Sequence, residues 1–327
     1  MKKLYLCTVN EKRRNLRPGQ ATKFVRRAHK CFLRKAKKQS LSATKKIINE
    51  LNNIQSFKTT LEYMIFFFTG TGNTRWAADK IAGSIGEELL YIPDLIRDGR
   101  YEFCLKADER TGFCFPTHGW QPPRIVREFV RKMSLKLADG QDTTTASTDS
   151  KPYCWALTTC GDNMGEAMTI FDKELQARGL RAESQFAVIM PESNVCFPFL
   201  HLDTPEKEQQ KIEKAEERLR HITEVIKNRE TGVVELVKGA IPRTYSYVIG
   251  GYYNKHLIKD DKLWVDKDAC VGCGLCSRLC PVDDIEGAPP RWLHNGKCTN
   301  CLACYHHCPK QAIHWGKMKR GQYTFRH

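Results

Sequence analysis

Eight cysteines near the C-terminal end restrict the folds open to this 327-residue chain more than any other feature. They form two sets with one spacing, C-x2-C-x2-C-x3-C, and a proline directly follows each set. The first set comprises Cys270, Cys273, Cys276 and Cys280, and the second comprises Cys298, Cys301, Cys304 and Cys308. A repeated thiolate pattern of this kind predicts a loop-rich region that folds around two equivalent metal centres.

Three cysteines at this interval can occupy three corners of a cubane iron-sulfur cluster. In this spacing the fourth cysteine of each set binds the other cluster. The sequence therefore predicts two [4Fe-4S] sites whose ligands cross between the sets. One site takes Cys270, Cys273, Cys276 and Cys308, and the other takes Cys298, Cys301, Cys304 and Cys280.

Zinc is the main alternative, because pairs of Cys-x2-Cys also build tetrahedral zinc sites. Two such pairs suffice for zinc, which explains neither the third cysteine of each set nor the repetition with proline. His306 and His307 lie between ligand cysteines and could bind metal. Since eight thiolates already complete two clusters, we expect these histidines to form a polar surface instead. A disulfide framework is disfavoured, because the chain is far longer than a stapled miniprotein and cytosolic thiols are kept reduced.

The net charge of +16 is concentrated at the N-terminus. Residues 1–63 hold 17 Lys and Arg and three acidic residues, which leaves 36 basic and 34 acidic residues in 64–327. The body of the chain is thus nearly neutral and has no electrostatic basis for specific nucleic-acid binding. We interpret residues 1–61 as a basic extension without a folded role, with an amphipathic surface helix or a nucleic-acid tail as alternatives.

Met64 stands immediately before the first convincing strand, so we expect native translation to start there, which N-terminal sequencing of the native protein would test. No stretch approaches the roughly 20 apolar residues that cross a bilayer. The segment LYLCTV near the start is too short for the apolar part of a signal peptide. A cytoplasmic protein without a membrane span is therefore expected.

Residues 62–235 alternate short apolar runs with helical patterns. The apolar runs are YMIFFF (63–68), LLYIP (89–93), GFCFP (112–116), YCWALTT (153–159) and FAVIMP (186–191). The helical patterns cover 73–85, 123–133, 165–179 and 204–230. Continuous apolar strands alternating with helices indicate an α/β domain, a doubly wound parallel sheet of five strands covered on both faces.

Three further segments complete the predicted organisation. The polar stretch 137–151 is interpreted as a flexible surface excursion. Residues 236–261 are interpreted as a linker whose aromatic side chains could pack between the domains. Residues 262–327 are predicted to form a small α+β domain that holds both clusters and ends in a tail.

The sequence TGTGNT (69–74) connects the first strand to the first helix. It is not a Walker loop, since no Gly-Lys-Ser/Thr follows, and it lacks the third glycine of the dinucleotide motif. A strand-to-helix turn offers free backbone N–H groups and the helix dipole to an anion. Thr69, Thr71, Asn73 and Thr74 can add side-chain donors around a phosphate. The alternative is a simple helix cap formed by Asn73.

This turn is similar to the phosphate loop of flavodoxins, Ser/Thr-x-Thr-Gly-x-Thr, which Thr69, Thr71, Gly72 and Thr74 match. The resemblance implies a flavodoxin-like sheet with FMN bound beyond the carboxyl ends of its strands. Two other loops, 116–123 and 159–166, leave strand ends on the same edge. They correspond in order to the loops that flank the flavin ring in that family.

In the first of these loops, Trp120 is the natural stacking partner for an isoalloxazine ring. The alternative is that Trp120 packs against Pro122 and Pro123. The second loop departs from flavodoxins that place a tyrosine there. Its residues are Cys160, Gly161, Asp162 and Asn163. We assign Cys160 and Gly161 to the FMN site together with Asn73 of the phosphate loop, and expect Asp162 to cap the helix that follows.

Residues 262–327 resemble the bacterial two-cluster ferredoxins without a missing ligand. Residues 64–327 as a whole resemble the flavodoxin-ferredoxin fusion family of anaerobic bacteria, including the basic, tyrosine-containing tail GKMKRGQYTFRH (316–327). The resemblance implies an electron-transfer protein with two [4Fe-4S] clusters and FMN. Such a protein would pass electrons between flavin and clusters and exchange them with redox partner proteins.

Two alternatives remain open at this point. The chain could be an FMN-dependent reductase of a small organic acceptor, with the ferredoxin domain as its electron supply. It could also use a flavin-free flavodoxin-like domain only to dock a partner. His118 is the only histidine in the flavin-facing loops, and a lone histidine is a weak indication of a general acid.

Overall fold

The structure, a computed structural model, describes residues 64–106, 109–138, 140–147, 151–196, 201–317 and 321–325. These residues belong to one compact unit. The interpretation of residues 1–61 as an extension lies outside the described residues. Within them, no helix is both long enough and apolar enough to cross a bilayer.

A parallel sheet forms the first part of the structure, with hydrogen bonds linking its strands in the order β2-β1-β4-β6-β7-β8. The strands of this part are β1 (Met64–Phe67), β2 (Glu88–Tyr91), β3 (Glu102–Leu105), β4 (Arg110–Pro116), β5 (Ser134–Leu137), β6 (Tyr153–Cys160), β7 (Ser184–Ile189) and β8 (Val234–Glu235). The five predicted strands are confirmed as β1, β2, β4, β6 and β7. Their spatial order is that of the flavodoxin-like doubly wound fold. The two-residue edge strand β8 was not predicted.

Helices cover both faces of this sheet. They are α1 (Asn73–Ile85), α2 (Ile92–Arg97), α3 (Arg124–Lys132), α4 (Ala167–Gln176) and α5 (Pro205–Lys227). Alternate residues of β1 enter different apolar clusters, with Phe66 in one and Ile65 and Phe67 in the other. Successive strand side chains point to opposite faces, so each cluster occupies one face. This two-sided burial explains why the strands are continuously apolar.

Two details of the predicted organisation are wrong. The run LLYIP (89–93) is not strand throughout, because α2 begins at Ile92 with proline in its first turn, a position that proline favours. The segment 137–151 is not simply a surface excursion: within its described part, Thr143 is fully buried and its hydroxyl donates to the carbonyl groups of Leu135 and Arg178. The end of β5 also lies in this segment, and β5 pairs with β3 in a separate parallel sheet.

Residues 236–261 contain a helical segment, the linker helix, made of π turns at Thr244–Ile249 and Tyr253–Leu257 around an α turn at Gly250–Tyr252. Its buried face packs against loops of the sheet. The Ser246 hydroxyl donates to the Trp120 carbonyl and accepts the Glu166 N–H. A side chain at Gly250 would come within 2.2 Å of the Gly119 carbonyl oxygen, so this contact requires glycine.

The C-terminal region consists of short elements that repeat at an interval of 28 residues. Helices α6 (Leu275–Leu279) and α7 (Ala303–His306) lie at equivalent positions. The strands β9 (Leu263–Val265) and β12 (Ile313–Trp315) form one antiparallel pair, and β10 (Ile285–Glu286) and β11 (Arg291–Trp292) form another. The whole is the predicted combination of an α/β flavodoxin-like sheet with a small α+β cysteine-rich region.

Candidate functional site

Two small cavities in the C-terminal region each bring together four cysteines. One, here called the distal site, is lined by Cys270, Cys273, Cys276 and Cys308. The other, here called the proximal site, is lined by Cys280, Cys298, Cys301 and Cys304. These are the two crossed sets that the spacing predicts. The ligand roles themselves stay predictions.

The backbone of both sites follows one design. Gly272 and Asn300 occupy equivalent positions with positive φ, and so do Gly274 and Leu302. The chain thereby curls twice between cysteines before α6 or α7 begins. In the second loop, Asn300 and Leu302 thus adopt the left-handed conformation that glycine adopts in the first.

Backbone N–H groups donate to the cysteine sulfur atoms. The Asp284 N–H lies 3.2 Å from Cys280 Sγ, and the Ala312 N–H lies 3.3 Å from Cys308 Sγ, at equivalent points of the repeat. The Asn300 N–H lies 3.4 Å from Cys298 Sγ. Such donors stabilise negative charge on thiolates and help to set the potential of a bound cluster.

The two sites differ in burial. At the proximal site, Cys280 and Cys304 are only 7% and 8% exposed, whereas Cys273 at the distal site is exposed. Burial raises the pKa of the Cys301 thiol to about 12, so metal ligation there has to displace a proton. In the described part of the chain, no three His, Cys, Asp or Glu side chains converge as ligands of a single metal ion.

A larger cavity of about 180 Å³ lies beyond the carboxyl ends of β1, β4 and β6. Seven of the eight residues assigned to an FMN site line it: Thr69, Thr71, Asn73, Thr74, Trp120, Cys160 and Gly161. Gly72, the eighth, is the N-cap residue of α1 and has a φ of 107°, a conformation that favours glycine. The topology therefore collects residues from three separate loops at one place, the switch point of the sheet.

The N-terminus of α1 forms one wall of this cavity. The first intrahelical bond runs from the Trp76 N–H to the Gly72 carbonyl, so the preceding N–H groups have no acceptor within the helix. Among the described residues, no side chain caps α1. The alternative of a simple helix cap formed by Asn73 is therefore excluded, because the N-cap residue is Gly72. The Asn73 side-chain amide donates to the Pro191 carbonyl, and its Oδ1 accepts the Tyr323 hydroxyl.

Threonine hydroxyls fix the shape of this turn. Thr69 Oγ1 accepts the Gly72 N–H at 3.2 Å. Thr74 Oγ1 and Thr159 Oγ1 lie 2.7 Å apart and share a hydrogen bond that joins the turn to the end of β6. Hydroxyls and helical N–H groups without any acidic side chain in the turn fit the phosphate of FMN.

Trp120 lines the large cavity, and its role beside a flavin ring stays a prediction. Its ring stacks on Tyr245 of the linker helix, with centroids 5.2 Å apart and planes 16° from parallel. The expected cap by Asp162 is wrong. The N-cap residue of α4 is Glu166, and the Asp162 carboxylate accepts the Asn163 side-chain amide.

Some residues that line the large cavity were not foreseen. Glu192 follows β7, and its carboxylate accepts the N–H groups of Ser193 and Asn194. Burial raises the pKa of Glu192. A Cβ atom on Gly161 would lie 2.3 Å from the Glu192 carboxylate, so a larger residue there would have to displace that side chain. The rule that ligands bind beyond strand ends could have identified Glu192, whereas nothing in the sequence placed Tyr253 of the linker helix in this cavity.

Cys301 joins the large cavity to the proximal site, because it lines both. Gly70 of the phosphate-loop turn lies against it: a Cβ atom on Gly70 would be 2.2 Å from the Cys301 carbonyl oxygen. A second link is the hydrogen bond of 3.0 Å between His118 Nδ1 and the Thr299 carbonyl. A carbonyl only accepts, so Nδ1 of His118 carries the proton.

His306 is not the surface residue that was expected, since its side chain is buried. Its Nε2 lies 2.8 Å from the Ser193 carbonyl, and its Nδ1 accepts the Tyr323 N–H at 3.0 Å. Burial lowers its pKa to about 4. A neutral imidazole with Nε2 protonated satisfies both contacts. His306 thus connects the cluster region to the loop after β7 and to the C-terminal tail.

The pKa of His118 leads to a testable dependence of stability on pH. Burial lowers this pKa to about 4, against the opposing effect of the bond to Thr299. The unfolded chain therefore binds more protons than the folded one as pH falls from about 6.5 towards 4, and stability is lost in that direction. Between pH 7.5 and 5.5 we expect the loss from His118 to be about 1 kcal/mol.

Chemical denaturation of the anaerobic protein at both pH values measures this effect. A His118→Gln variant keeps a side-chain donor without a titrating group. Its unfolding free energy should therefore fall about 1 kcal/mol less than that of the wild type over this interval. Equal losses in the two proteins would show that His118 is not held neutral.

The cysteine-rich region matches a known family. Residues 262–309 match the model of the 4Fe-4S dicluster domain. The C-terminal region, here called the dicluster domain, is thus similar to this family. Its presence implies electron transfer by iron-sulfur clusters, because such clusters exchange single electrons. No curated protein matches the chain in sequence.

Among solved structures, the Trp repressor binding protein from Bacillus subtilis is 12% identical, covering 52% of this chain and 98% of its own, with a TM-score of 0.31. An azoreductase from Bacillus anthracis str. Sterne is 12% identical over 51% of this chain and 99% of its own, with a TM-score of 0.30. A flavone reductase is 9% identical, and the match covers 53% of this chain and 66% of the reductase, with a TM-score of 0.31.

Proposed function

We propose that this protein transfers electrons between FMN, bound in the large cavity, and two [4Fe-4S] clusters of the dicluster domain. The observation that carries the proposal is the position of Cys301, which lines both the large cavity and the proximal site. Gly70 and Cys301 are in direct contact, so the anion-binding turn and a cluster-binding loop are neighbours. The domain division at about residues 62–235, 236–261 and 262–327 is part of this proposal.

The residues that would hold FMN divide into two groups by chemistry. The N-terminus of α1, with Thr69, Thr71 and Thr74, would bind the phosphate through N–H and hydroxyl groups. Trp120, Cys160 and Gly161 would lie beside the ring system, with Trp120 held in place by Tyr245. A bound flavin exchanges one or two electrons, whereas each cubane exchanges one. The protein therefore contributes positioning, and the joining of both centres in one chain raises their effective concentration.

The difference in burial between the two cysteine sites suggests which of them exchanges electrons with a partner protein. Two of the four cysteines at the proximal site, Cys280 and Cys304, are buried, whereas the distal site reaches the surface through Cys273, which lies near the 60%-exposed Val271. We infer that electrons enter or leave toward a partner protein at the distal site. The proximal site, whose Cys301 also lines the large cavity, serves as the connection to that cavity.

Anaerobic purification followed by iron, acid-labile sulfide, zinc and flavin analysis tests the proposal. We expect about eight iron atoms, eight sulfide ions and one FMN for each chain. Zinc in place of iron would overturn the cluster assignment. Eight iron atoms without affinity for FMN would instead limit the function to electron transfer by the dicluster domain alone.

A further inference from the structure

Residues 322–325 of the tail, here called the C-terminal strap, bind the dicluster domain at one end. The Gln322 side-chain amide donates to the carbonyl groups of Tyr305 and Cys308, at 2.6 and 3.1 Å. The Tyr323 N–H donates to Nδ1 of His306 at 3.0 Å. The strap is thus attached to α7 and to Cys308, the last cysteine of the second set.

The other end of the C-terminal strap contacts the phosphate-loop turn. The Tyr323 hydroxyl donates to Asn73 Oδ1 at 2.6 Å, and the Phe325 N–H donates to the Thr71 carbonyl at 2.9 Å. Phe325 also lies against Gly72, where an added Cβ would be 2.8 Å from Phe325 Cβ. Its ring contacts that of Trp76 on α1, with centroids 5.0 Å apart.

The strap lies behind the turn rather than in the cavity. Thr71 and Asn73 line the large cavity, whereas the cavity lining includes neither Tyr323 nor Phe325. Tyr323 is 5% exposed, so its hydrogen bond to Asn73 is shielded from water. This bond restricts rotation of the Asn73 side chain. Contacts to the Thr71 carbonyl and to Gly72 constrain the backbone of the turn directly before α1.

We propose that the C-terminal strap is a positioning element for the phosphate-loop turn. The strap is attached to the dicluster domain and holds the turn in the shape that binds an anion. The inference rests on the proposed FMN site and adds Tyr323 and Phe325 as residues that set its affinity for the phosphate. Binding of an anion by backbone N–H groups depends on their orientation, and a turn that is ordered before binding loses less conformational freedom when the ligand arrives. The strap therefore acts on the phosphate end of a ligand and not on its ring.

A comparison of FMN with riboflavin tests this role, because riboflavin has the same ring and no phosphate. The variant Tyr323→Phe/Phe325→Ala removes the hydroxyl bond and the ring contact in the holoprotein. We expect its dissociation constant for FMN to rise about tenfold, with that for riboflavin changed less than about twofold. Flavin fluorescence titration of flavin-stripped protein that retains its iron gives both constants.

A control variant, Tyr252→Phe/Tyr247→Ala, makes the same Tyr→Phe change and a comparable aromatic-to-alanine change at positions where the side chains are 62% and 55% exposed. This control should bind both flavins like the wild type. Equal weakening for FMN and riboflavin in the strap variant would overturn the proposal, because it would indicate a general role in folding. The proposal would also be overturned if the wild type bound FMN more tightly than riboflavin and the strap variant showed the same ratio of the two dissociation constants. A wild type that binds neither flavin would refute the proposed function itself.

Discussion

Alanine in place of Cys308 is expected to remove the distal cluster and to leave electron transfer from flavin to the proximal cluster intact. Cys308 follows the second set of cysteines in sequence, but it lines the cavity of Cys270, Cys273 and Cys276. The iron content should fall from about eight to about four atoms for each chain. The remaining cluster, at the proximal site, would still adjoin the large cavity through Cys301.

Alanine in place of Cys280 should have the same effect on iron content and the opposite effect on electron transfer. Cys280 lines the proximal site, although it belongs to the first set. Its loss should remove the cluster beside the large cavity. Reduction of the remaining, distal cluster by the flavin should then no longer be rapid. Anaerobic photoreduction of the flavin, followed by bleaching of the iron-sulfur absorbance, distinguishes the two variants.

The pair of variants also tests the crossing of ligands directly. If each set of four cysteines bound its own cluster, Cys308→Ala would stop electron transfer and Cys280→Ala would preserve it. Cys104→Ala is a suitable control, because this half-buried cysteine donates to the Leu137 carbonyl and lines neither cysteine cavity. It should keep about eight iron atoms and the wild-type rate.

Alanine at Gly70 is expected to slow electron transfer from flavin to the clusters without loss of iron. The new Cβ would lie 2.2 Å from the Cys301 carbonyl oxygen, closer than these atoms can approach, and 3.1 Å from Cys301 Cβ, which is a tight contact. The turn and the cysteine loop would have to separate, at a cost of about 1–3 kcal/mol in stability. Stopped-flow measurement of cluster reduction by photoreduced flavin follows the rate, and denaturant unfolding gives the stability.

Gly83→Ala is the matched control for this experiment. Gly83 lies in α1 with open space where a Cβ would be. Alanine there should stabilise the helix by about 0.5–1 kcal/mol and leave the rate unchanged. A Gly70→Ala variant that matched the wild type in rate and stability would show that the contact between the turn and Cys301 does not support transfer.

Local patterns were sufficient for the regular elements of the sheet. The bounds of α1 agree with the sequence pattern because glycines stand at both of its ends, and β6 is apolar because both of its faces are buried. The patterns failed where a residue's role depends on a distant partner. Thr143 is polar in sequence but buried, since carbonyl groups from Leu135 and Arg178 accept its hydroxyl.

In the candidate site, too, local features could be predicted from the sequence, whereas contacts between distant residues could not. Spacing alone indicated the eight cysteines and the phosphate-loop turn, because ligand intervals and strand-to-helix turns are local properties. Asn73 illustrates the limit, since its side chain is engaged by Pro191 and Tyr323, residues far away in sequence. Trp120 is similar, because its stacking partner comes from the linker helix.

The sequence by itself determined the type of fold and the kind of cofactor chemistry. Both follow from local properties, the period of the hydrophobic residues and the spacing of the cysteines. Only the tertiary structure decided that Gly70 touches Cys301 and that the C-terminal strap supports the phosphate-loop turn. The physical reason is that these contacts depend on how the dicluster domain packs on the sheet. That packing arises from many weak and distributed interactions, none of which leaves a periodic signal in the chain.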